Sequence, residues 1–145
     1  MFKSILVPVD GSPTSQQAVA RAVALATAFE GTITAIYVID PYPFTGVGTD
    51  FSYGQAQYLE AAAAEAHDAL RGAREVIEAA GVKVDTRVVE AHAIWRGVLE
   101  TASAVGADIV VMGSHGRRGL EKLVLGSVAQ RVLSHAHMPV LVVRD

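Results

Sequence analysis

Short apolar runs rich in β-branched residues alternate along the chain with longer alanine-rich stretches. Such runs predict strands, here at Ser4–Val9, Thr32–Ile39, Lys83–Val89, Asp108–Met112 and Val140–Val143. Residues 5–7 and 109–112 are apolar at consecutive positions, which is typical of strands covered on both faces. We therefore predict an α/β fold in which a five-stranded parallel sheet carries helices on both faces.

The alanine-rich stretches have helical spacing, and in the first of them Val19, Ala22 and Ala26 fall on one face. Ser12-Pro13 predicts where this helix begins, because serine is a favoured N-cap and proline is favoured at the first helical position. Glycines are expected to close the first three helices, at Gly31, Gly81 and Gly106. The second helix is predicted from about Tyr58 to Ala80 and the fourth from Ser127 to His135.

The segment between the second strand and the second helix, Asp40–Gly54, is too long and too rich in proline and glycine for a simple connector. It follows a strand, so we expect it on the rim of the sheet where ligands bind. Its aromatic residues can form a lid or a partner surface; the alternative is a mobile loop with some aromatic anchoring. The sequence leaves the role of residues 41–57 open.

Composition narrows the function classes. The length of 145 residues fits one domain, 1–145, and 51% hydrophobic residues fit a compact core. A net charge of −3 suggests no nucleic-acid surface. The lack of cysteine excludes disulfides and thiolate metal sites and suits the cytoplasm, where we expect the protein. We expect no signal peptide and no membrane span, since no apolar run approaches about 18 residues.

The strongest functional pattern follows the fourth predicted strand. Gly113 and Gly116 are followed after nine residues by Gly126-Ser127, which opens the fourth predicted helix. Glycines let the main chain approach a ligand closely at unusual dihedral angles. The N–H groups and positive dipole end of a helix favour phosphate. In parallel sheets, ligands bind beyond the carboxyl ends of the strands where strand order reverses, so we predict a phosphate site here.

This spacing resembles the ATP-binding signature of the universal stress protein family. Four further segments resemble strands and turns of that family and extend the likeness over nearly the whole chain: Lys3–Ser12, Tyr37-Val38, Ala107–Gly113 and Met138–Val143. The resemblance implies strand order 3-2-1-4-5, an adenine nucleotide alpha-hydrolase-like fold, with the switch point between the first and fourth strands. It also implies bound ATP (or ADP or AMP), Mg²⁺ or Mn²⁺ held through the phosphates, a homodimer, and a role in stress response with an unknown signalling partner.

The resemblance assigns the adenosine end of the site to residues near three strands. Pro8 is placed against the base, beside Val9, and Val38 supplies backbone to the adenine edge, although it can also be ordinary core. Asp10 is expected to bind the ribose or adenine; its alternative role is to cap the first helix or hold the turn.

The phosphate end is assigned to the glycine-rich segment. Met112 and Gly113, where this segment begins, are expected to line the nucleotide, with Gly113 allowing close approach. The groups expected to reach the phosphates are the N–H groups of Gly116, Gly126 and Val128 and the hydroxyl of Ser127. Ser127 is otherwise a natural N-cap.

Charged residues in the glycine-rich segment can neutralise a triphosphate or point to solvent: His115, Arg117, Arg118 and Lys122. Two positions depart from the family pattern. Ala129 stands where other members carry a hydroxyl, and Glu90-Ala91-His92 stands where a glycine is often found. His135 and His137 have metal-like spacing but no carboxylate nearby, so we expect surface histidines. Trp95 is expected to pack.

An efficient enzyme is not indicated. The chain has no P-loop motif, no HxGH signature and no carboxylate pair beside the glycine loop. We therefore expect a regulatory nucleotide-binding module that is at most a weak ATPase. One alternative is a genuine ATP hydrolase or nucleotidyl transferase, and another is a dimer that acts through protein contacts alone. We expect the homodimer to form through Val140–Val143, because an apolar strand at a sheet edge invites antiparallel pairing across a two-fold axis.

Overall fold

A computed structural model describes residues 1–41, 49–116 and 125–144, without the side chains of residues 49–53. The strands are β1 (Ser4–Pro8), β2 (Thr32–Ile39), β3 (Val84–Glu90), β4 (Ile109–Gly113) and β5 (Val140–Val143). The helices are α1 (Pro13–Phe29), α2 (Thr49–Ala79), α3 (Ile94–Ala104) and α4 (Ser127–His135). The strands form one parallel sheet in the order β3-β2-β1-β4-β5, as predicted.

Two helical layers cover this sheet, one on each face. Side chains alternate between the two covered faces along β1, which explains why residues 5–7 are all apolar. Ile5 and Val7 are buried with the residues of α1 and α2. Leu6 is buried on the opposite face with residues of α3 and α4. The described part of the chain contains no helix with both the length and the apolarity needed to cross a bilayer.

The second helix begins earlier than predicted. α2 starts at Thr49 instead of Tyr58, so part of the expected loop Asp40–Gly54 is helical. Gly54 does not stop the helix, because one glycine costs about 1 kcal/mol against good helix formers such as Gln55-Ala56-Gln57. The Gln55 side-chain amide donates to the Pro41 carbonyl at 2.8 Å and ties α2 to the end of β2. Phe51 and Tyr53 therefore belong to α2, while Tyr42 and Phe44 lie outside the described residues.

The start of α1 and the ends of α2 and α3 follow the sequence signals, whereas the end of α1 differs in one detail. Ser12 caps α1, its Oγ accepting from the Ser15 N–H at 3.2 Å, and Pro13 comes first in the helix. Gly81 and Gly106 have left-handed φ values after α2 and α3. After α1, however, Glu30 takes the left-handed conformation instead of Gly31. Gly31 is needed because a β carbon there would lie 2.5 Å from the Phe2 carbonyl oxygen.

The central strands β1 and β4 are joined at their amino ends and separate towards their carboxyl ends. The Asp108 carboxylate accepts from the Lys3 and Ser4 N–H groups at 3.0 and 3.3 Å. β1 then pairs with β4 at Ile5 and Leu6, whereas its pairing with β2 continues to Pro8. Pro8, which has no N–H, thus lies beyond the β1–β4 ladder and interrupts no hydrogen bond on that side. The separation opens a crevice at the reversal of strand order.

Candidate functional site

Three segments meet at the carboxyl ends of β1 and β4. One is the turn from Val9 to Ser12, and another is the first turn of α4. The third, which we call the neck, consists of Ser114–Gly116 together with Gly126. The Gly126 N–H donates to the Ser114 carbonyl at 2.7 Å and closes the neck. Tertiary folding has thus brought together the two halves of the glycine pattern and the Asp10 turn.

Asp10 connects the turn after β1 to the neck. Its Oδ1 accepts from the Ser12 N–H at 2.9 Å, and its own N–H donates to Ser15 Oγ at 3.4 Å. Its Oδ2 lies 2.6 Å from the position that a β carbon on Gly116 would occupy. The turn-holding role given as an alternative for Asp10 is therefore present, and the second carboxylate oxygen faces the neck.

The glycines of the pattern allow close packing at and beside the neck. A β carbon on Gly113 would lie 2.9 Å from Thr14 Cγ2, and one on Gly126 would lie 3.1 Å from His115 Cα. The described glycines with left-handed φ are Gly11, Gly81 and Gly106. The expectation that the pattern glycines adopt unusual dihedral angles is therefore wrong for Gly113, Gly116 and Gly126, where space is the constraint.

The N-terminus of α4 differs from the prediction in two details. Gly126 is the N-cap, so Ser127 is the first helical residue and its predicted cap role is wrong. The Gly126 N–H, which we expected to bind phosphate, is engaged by Ser114. The N–H groups of Ser127, Val128 and Ala129 belong to the first turn, where an α-helix provides no backbone acceptor, and the cap supplies no side-chain hydrogen bond. Ser127 is exposed and Val128 half-buried, while the Ala129 methyl is buried.

The His115 side chain is held by two hydroxyl groups. Its Nε2 lies 3.3 Å from Thr14 Oγ1 and its Nδ1 lies 3.2 Å from Ser114 Oγ. Thr14 and Ser114 are 1% and 2% exposed. Sequence analysis missed both: Ser114 is a variable position of the pattern, and nothing local connects Thr14 to it. Arg117, Arg118 and Lys122 lie outside the described residues.

Two of the predicted site residues have side chains that belong to the core. Val38 and Met112 are buried in the layer beneath α3 and α4. Val38 packs so closely on α3 that a β carbon on Gly97 would lie 2.7 Å from its Cγ1. The core role given as an alternative for Val38 is therefore present, and what Val38 can offer a ligand is backbone. Val9 is buried on the other face and Pro8 is half-buried.

An open groove lies beside this crevice. It measures about 590 Å³ and runs between α1 and α2, with Val9, Asp10 and Gly11 in its wall. It is not lined by the neck or by α4. The groove therefore does not include the described residues of the glycine pattern.

Metal ligands are not grouped in the described ranges, which contain no cluster of three or more His, Cys, Asp or Glu side chains suited to an ion. His135 and His137 are both exposed, as predicted. His135 is the last residue of α4, and its ring stacks on Trp95 at a centroid distance of 4.3 Å. Trp95 therefore packs against a neighbouring side chain, as expected.

The chain matches known proteins over nearly its whole length. The family model described as the universal stress protein family matches residues 1–144. A universal stress protein of Methanocaldococcus jannaschii is 38% identical over 144 residues, covering 99% of this chain and 83% of that protein.

Solved structures share the fold. The universal stress protein UspA from Lactobacillus plantarum superposes with a TM-score of 0.88 at 27% identity, covering 99% of this chain and 98% of that one. A universal stress protein solved in complex with cAMP superposes with a TM-score of 0.70, also at 27% identity, and covers 99% and 97% of the two chains.

Proposed function

The chain belongs to the universal stress protein family, and from that premise we propose that it is a regulatory, stress-response module that binds an adenine nucleotide. The proposed site is the crevice between the carboxyl ends of β1 and β4, within a single domain. One observation carries the proposal: Asp10, the neck and the uncapped first turn of α4 converge where β1 and β4 separate.

The phosphates are assigned to the first turn of α4. Its N–H groups and the positive end of the helix dipole favour an anion. The exposed Ser127 hydroxyl adds a donor, and the Val128 and Ala129 N–H groups lie in the same turn. Ala129 offers no hydroxyl, so one phosphate contact available to other family members is missing here. Gly116 and the segment carrying Arg117 complete the proposed phosphate end.

The adenosine end is assigned to β1 and β2. Asp10 keeps one carboxylate oxygen on the Ser12 N–H and directs the other towards the neck, where a ribose hydroxyl can donate to it. Pro8 is half-buried at the end of β1 and presents an apolar ring to the base. Val38 contributes through its backbone, because its side chain is buried in the core. The Met112 side chain is buried too, and its backbone pairs with β5.

Support for an adenine nucleotide comes from the cAMP complex of a related universal stress protein. ATP is proposed, with ADP and AMP as alternatives, because the glycine pattern resembles the ATP-binding signature of the family. A divalent cation, Mg²⁺ or Mn²⁺, is proposed to bind through those phosphates instead of through a protein cluster. Its contribution would be charge neutralisation between phosphate oxygens.

Low turnover is part of the proposal. Asp10 and His115 are the ionisable side chains that the described residues bring to the crevice, and both already make hydrogen bonds to turn or hydroxyl groups. Efficient hydrolysis requires a positioned base in reach of water or a second substrate. The competing function is a genuine ATP-using enzyme, either a slow hydrolase or a nucleotidyl transferase.

Titration calorimetry of nucleotide-free protein with Mg-ATP tests the proposal. We expect saturable binding to one site per chain, and mass analysis of ligand released from freshly purified protein should identify an adenine nucleotide. Absence of heat and of any thermal shift at millimolar Mg-ATP would refute it. We further propose a cytoplasmic homodimer that pairs through β5 and relays nucleotide binding to a signalling partner.

A further inference from the structure

We propose that Thr14, with Ser114, is a positioning residue for the nucleotide site. Their hydroxyls hold the His115 ring and, through it, fix the neck in the conformation that receives phosphate. This inference rests on the proposed function, because the neck is the entrance to the proposed phosphate end.

The contacts form a clamp on the imidazole, consisting of Thr14 Oγ1 on Nε2 and Ser114 Oγ on Nδ1, at 3.3 and 3.2 Å. A neutral imidazole has one nitrogen that donates and one that accepts, and a hydroxyl can satisfy either. Because Thr14 and Ser114 are both nearly inaccessible to solvent, water cannot readily replace a lost hydroxyl. The clamp therefore holds His115 in one ring orientation.

The clamp transmits that orientation to the rest of the neck. The Thr14 methyl lies against Gly113 at the end of β4, and Gly126 lies against His115 Cα on the other side. Gly126 is also hydrogen bonded to the Ser114 carbonyl. His115 is thus packed between the first turn of α1 and the cap of α4, so a change in its backbone displaces both.

This arrangement also distinguishes positioning from direct contact. Both ring nitrogens of His115 already have hydroxyl partners, so the imidazole would have to give up one of them to reach a phosphate. Thr14 is buried behind the ring in α1 and acts through it. We therefore expect Thr14 to affect nucleotide affinity without touching nucleotide.

Two substitutions separate the Thr14 hydroxyl from its methyl group. Thr14→Val keeps the β-branched shape and removes the hydroxyl, whereas Thr14→Ser keeps the hydroxyl and removes the methyl. Thr101→Val is the matched control, since Thr101 is a buried threonine of α3 away from the neck. If Thr14→Val does not fold, Ser114→Ala removes the other hydroxyl and carries the same expectations.

The readouts are Mg-ATP affinity by calorimetry and the ¹⁵N signals of the His115 ring, recorded without nucleotide and assigned with His115→Phe. We expect Thr14→Val to weaken Mg-ATP binding about fivefold to tenfold, the size of a lost hydrogen bond, and to shift the ring signals. Thr14→Ser should bind within about twofold of the parent and keep its ring signals. Thr101→Val should change neither.

The outcomes separate the two proposals. A parent protein that binds no Mg-ATP overturns the proposed function and this inference with it. If the parent binds Mg-ATP and Thr14→Val binds it equally well although the His115 ring signals have shifted, the positioning role of Thr14 is overturned and the proposed function stands. Equal losses in Thr14→Val and Thr14→Ser would assign the effect to packing and overturn the role of the hydroxyl.

Discussion

Asp10 and Gly116 approach each other so closely that a β carbon on Gly116 would lie 2.6 Å from Asp10 Oδ2. Any side chain at 116 must therefore displace the Asp10 carboxylate or the neck. The carboxylate is the easier to move, because it is held by one turn hydrogen bond, to the Ser12 N–H, whose loss costs about 1 kcal/mol. A substitution at Gly116 is therefore expected to disturb both the proposed adenosine end, through Asp10, and the proposed phosphate end.

Gly116→Val should abolish Mg-ATP binding and leave the fold intact. The valine side chain would project from the neck into the space next to Asp10. Gly116 itself is exposed and is not part of the hydrophobic core. Calorimetry and circular dichroism give the two readouts. Gly72→Val is the matched control, because nothing lies within 4 Å of a β carbon at that position of α2. Wild-type affinity in Gly116→Val would show that the phosphate site is misassigned.

Gly113→Ala should destabilise the protein by about 1–3 kcal/mol, the usual cost of overpacking. Its β carbon would lie 2.9 to 3.1 Å from Thr14 atoms, one of them the backbone carbonyl carbon, which cannot rotate away. Urea unfolding measures the change. Gly72→Ala, at an exposed site inside α2, should instead stabilise by about 0.5–1 kcal/mol. Equal stability of Gly113→Ala and the parent would contradict the packing role of Gly113.

ATP turnover should be far below the typical enzyme value of about 10 s⁻¹. The physical reason is that both ring nitrogens of His115 are already hydrogen bonded, and the second carboxylate oxygen of Asp10 is proposed to accept from the ribose. Neither side chain is then placed to activate water at the phosphates. Phosphate release from Mg-ATP under saturating conditions measures the rate. If the protein turned over at ordinary rates and Asp10→Ala or Ser127→Ala removed that activity, the regulatory interpretation would give way to the enzymatic one.

Val142→Pro should convert the proposed homodimer to monomer. The Pro139 and Val143 carbonyls of β5 accept from β4, which places the odd-numbered residues towards β4 and turns the Val142 N–H to the open edge. Proline there removes an edge donor without breaking the β4–β5 ladder. Sedimentation velocity at tens of micromolar gives the oligomeric state.

The other sheet edge supplies the control for this prediction. By the same alternation, Val88 of β3 directs its N–H away from β2, since the neighbouring hydrogen bonds use Lys83 and Ala91. Val88→Pro therefore makes the same chemical change on the opposite edge and should leave the dimer in place. A monomeric parent would refute the dimer, and a dimeric Val142→Pro would refute pairing through β5.

Local pattern determined the elements of this fold. Consecutive apolar residues marked the buried strands, and Ser12-Pro13 located the start of α1, because these signals depend on neighbours in sequence. The start of α2 was misplaced for the same reason. A local rule treats Gly54 as a helix breaker. The helix nevertheless continues through it, because the free-energy cost of one glycine is small and good helix formers follow.

Sequence patterns were thus enough to locate most strands and helices and, through family resemblance, to predict their order in the sheet and the segments expected to bind nucleotide. Packing of the folded chain is what engages the Gly126 N–H with Ser114, places Gly113 against Thr14, and holds His115 between Thr14 and Ser114. Apart from the contact between the neighbours Ser114 and His115, these contacts join segments that no local pattern connects. Periodicity reports which face of an element is buried but not which atom lies opposite, and that choice is made only when the layers pack together.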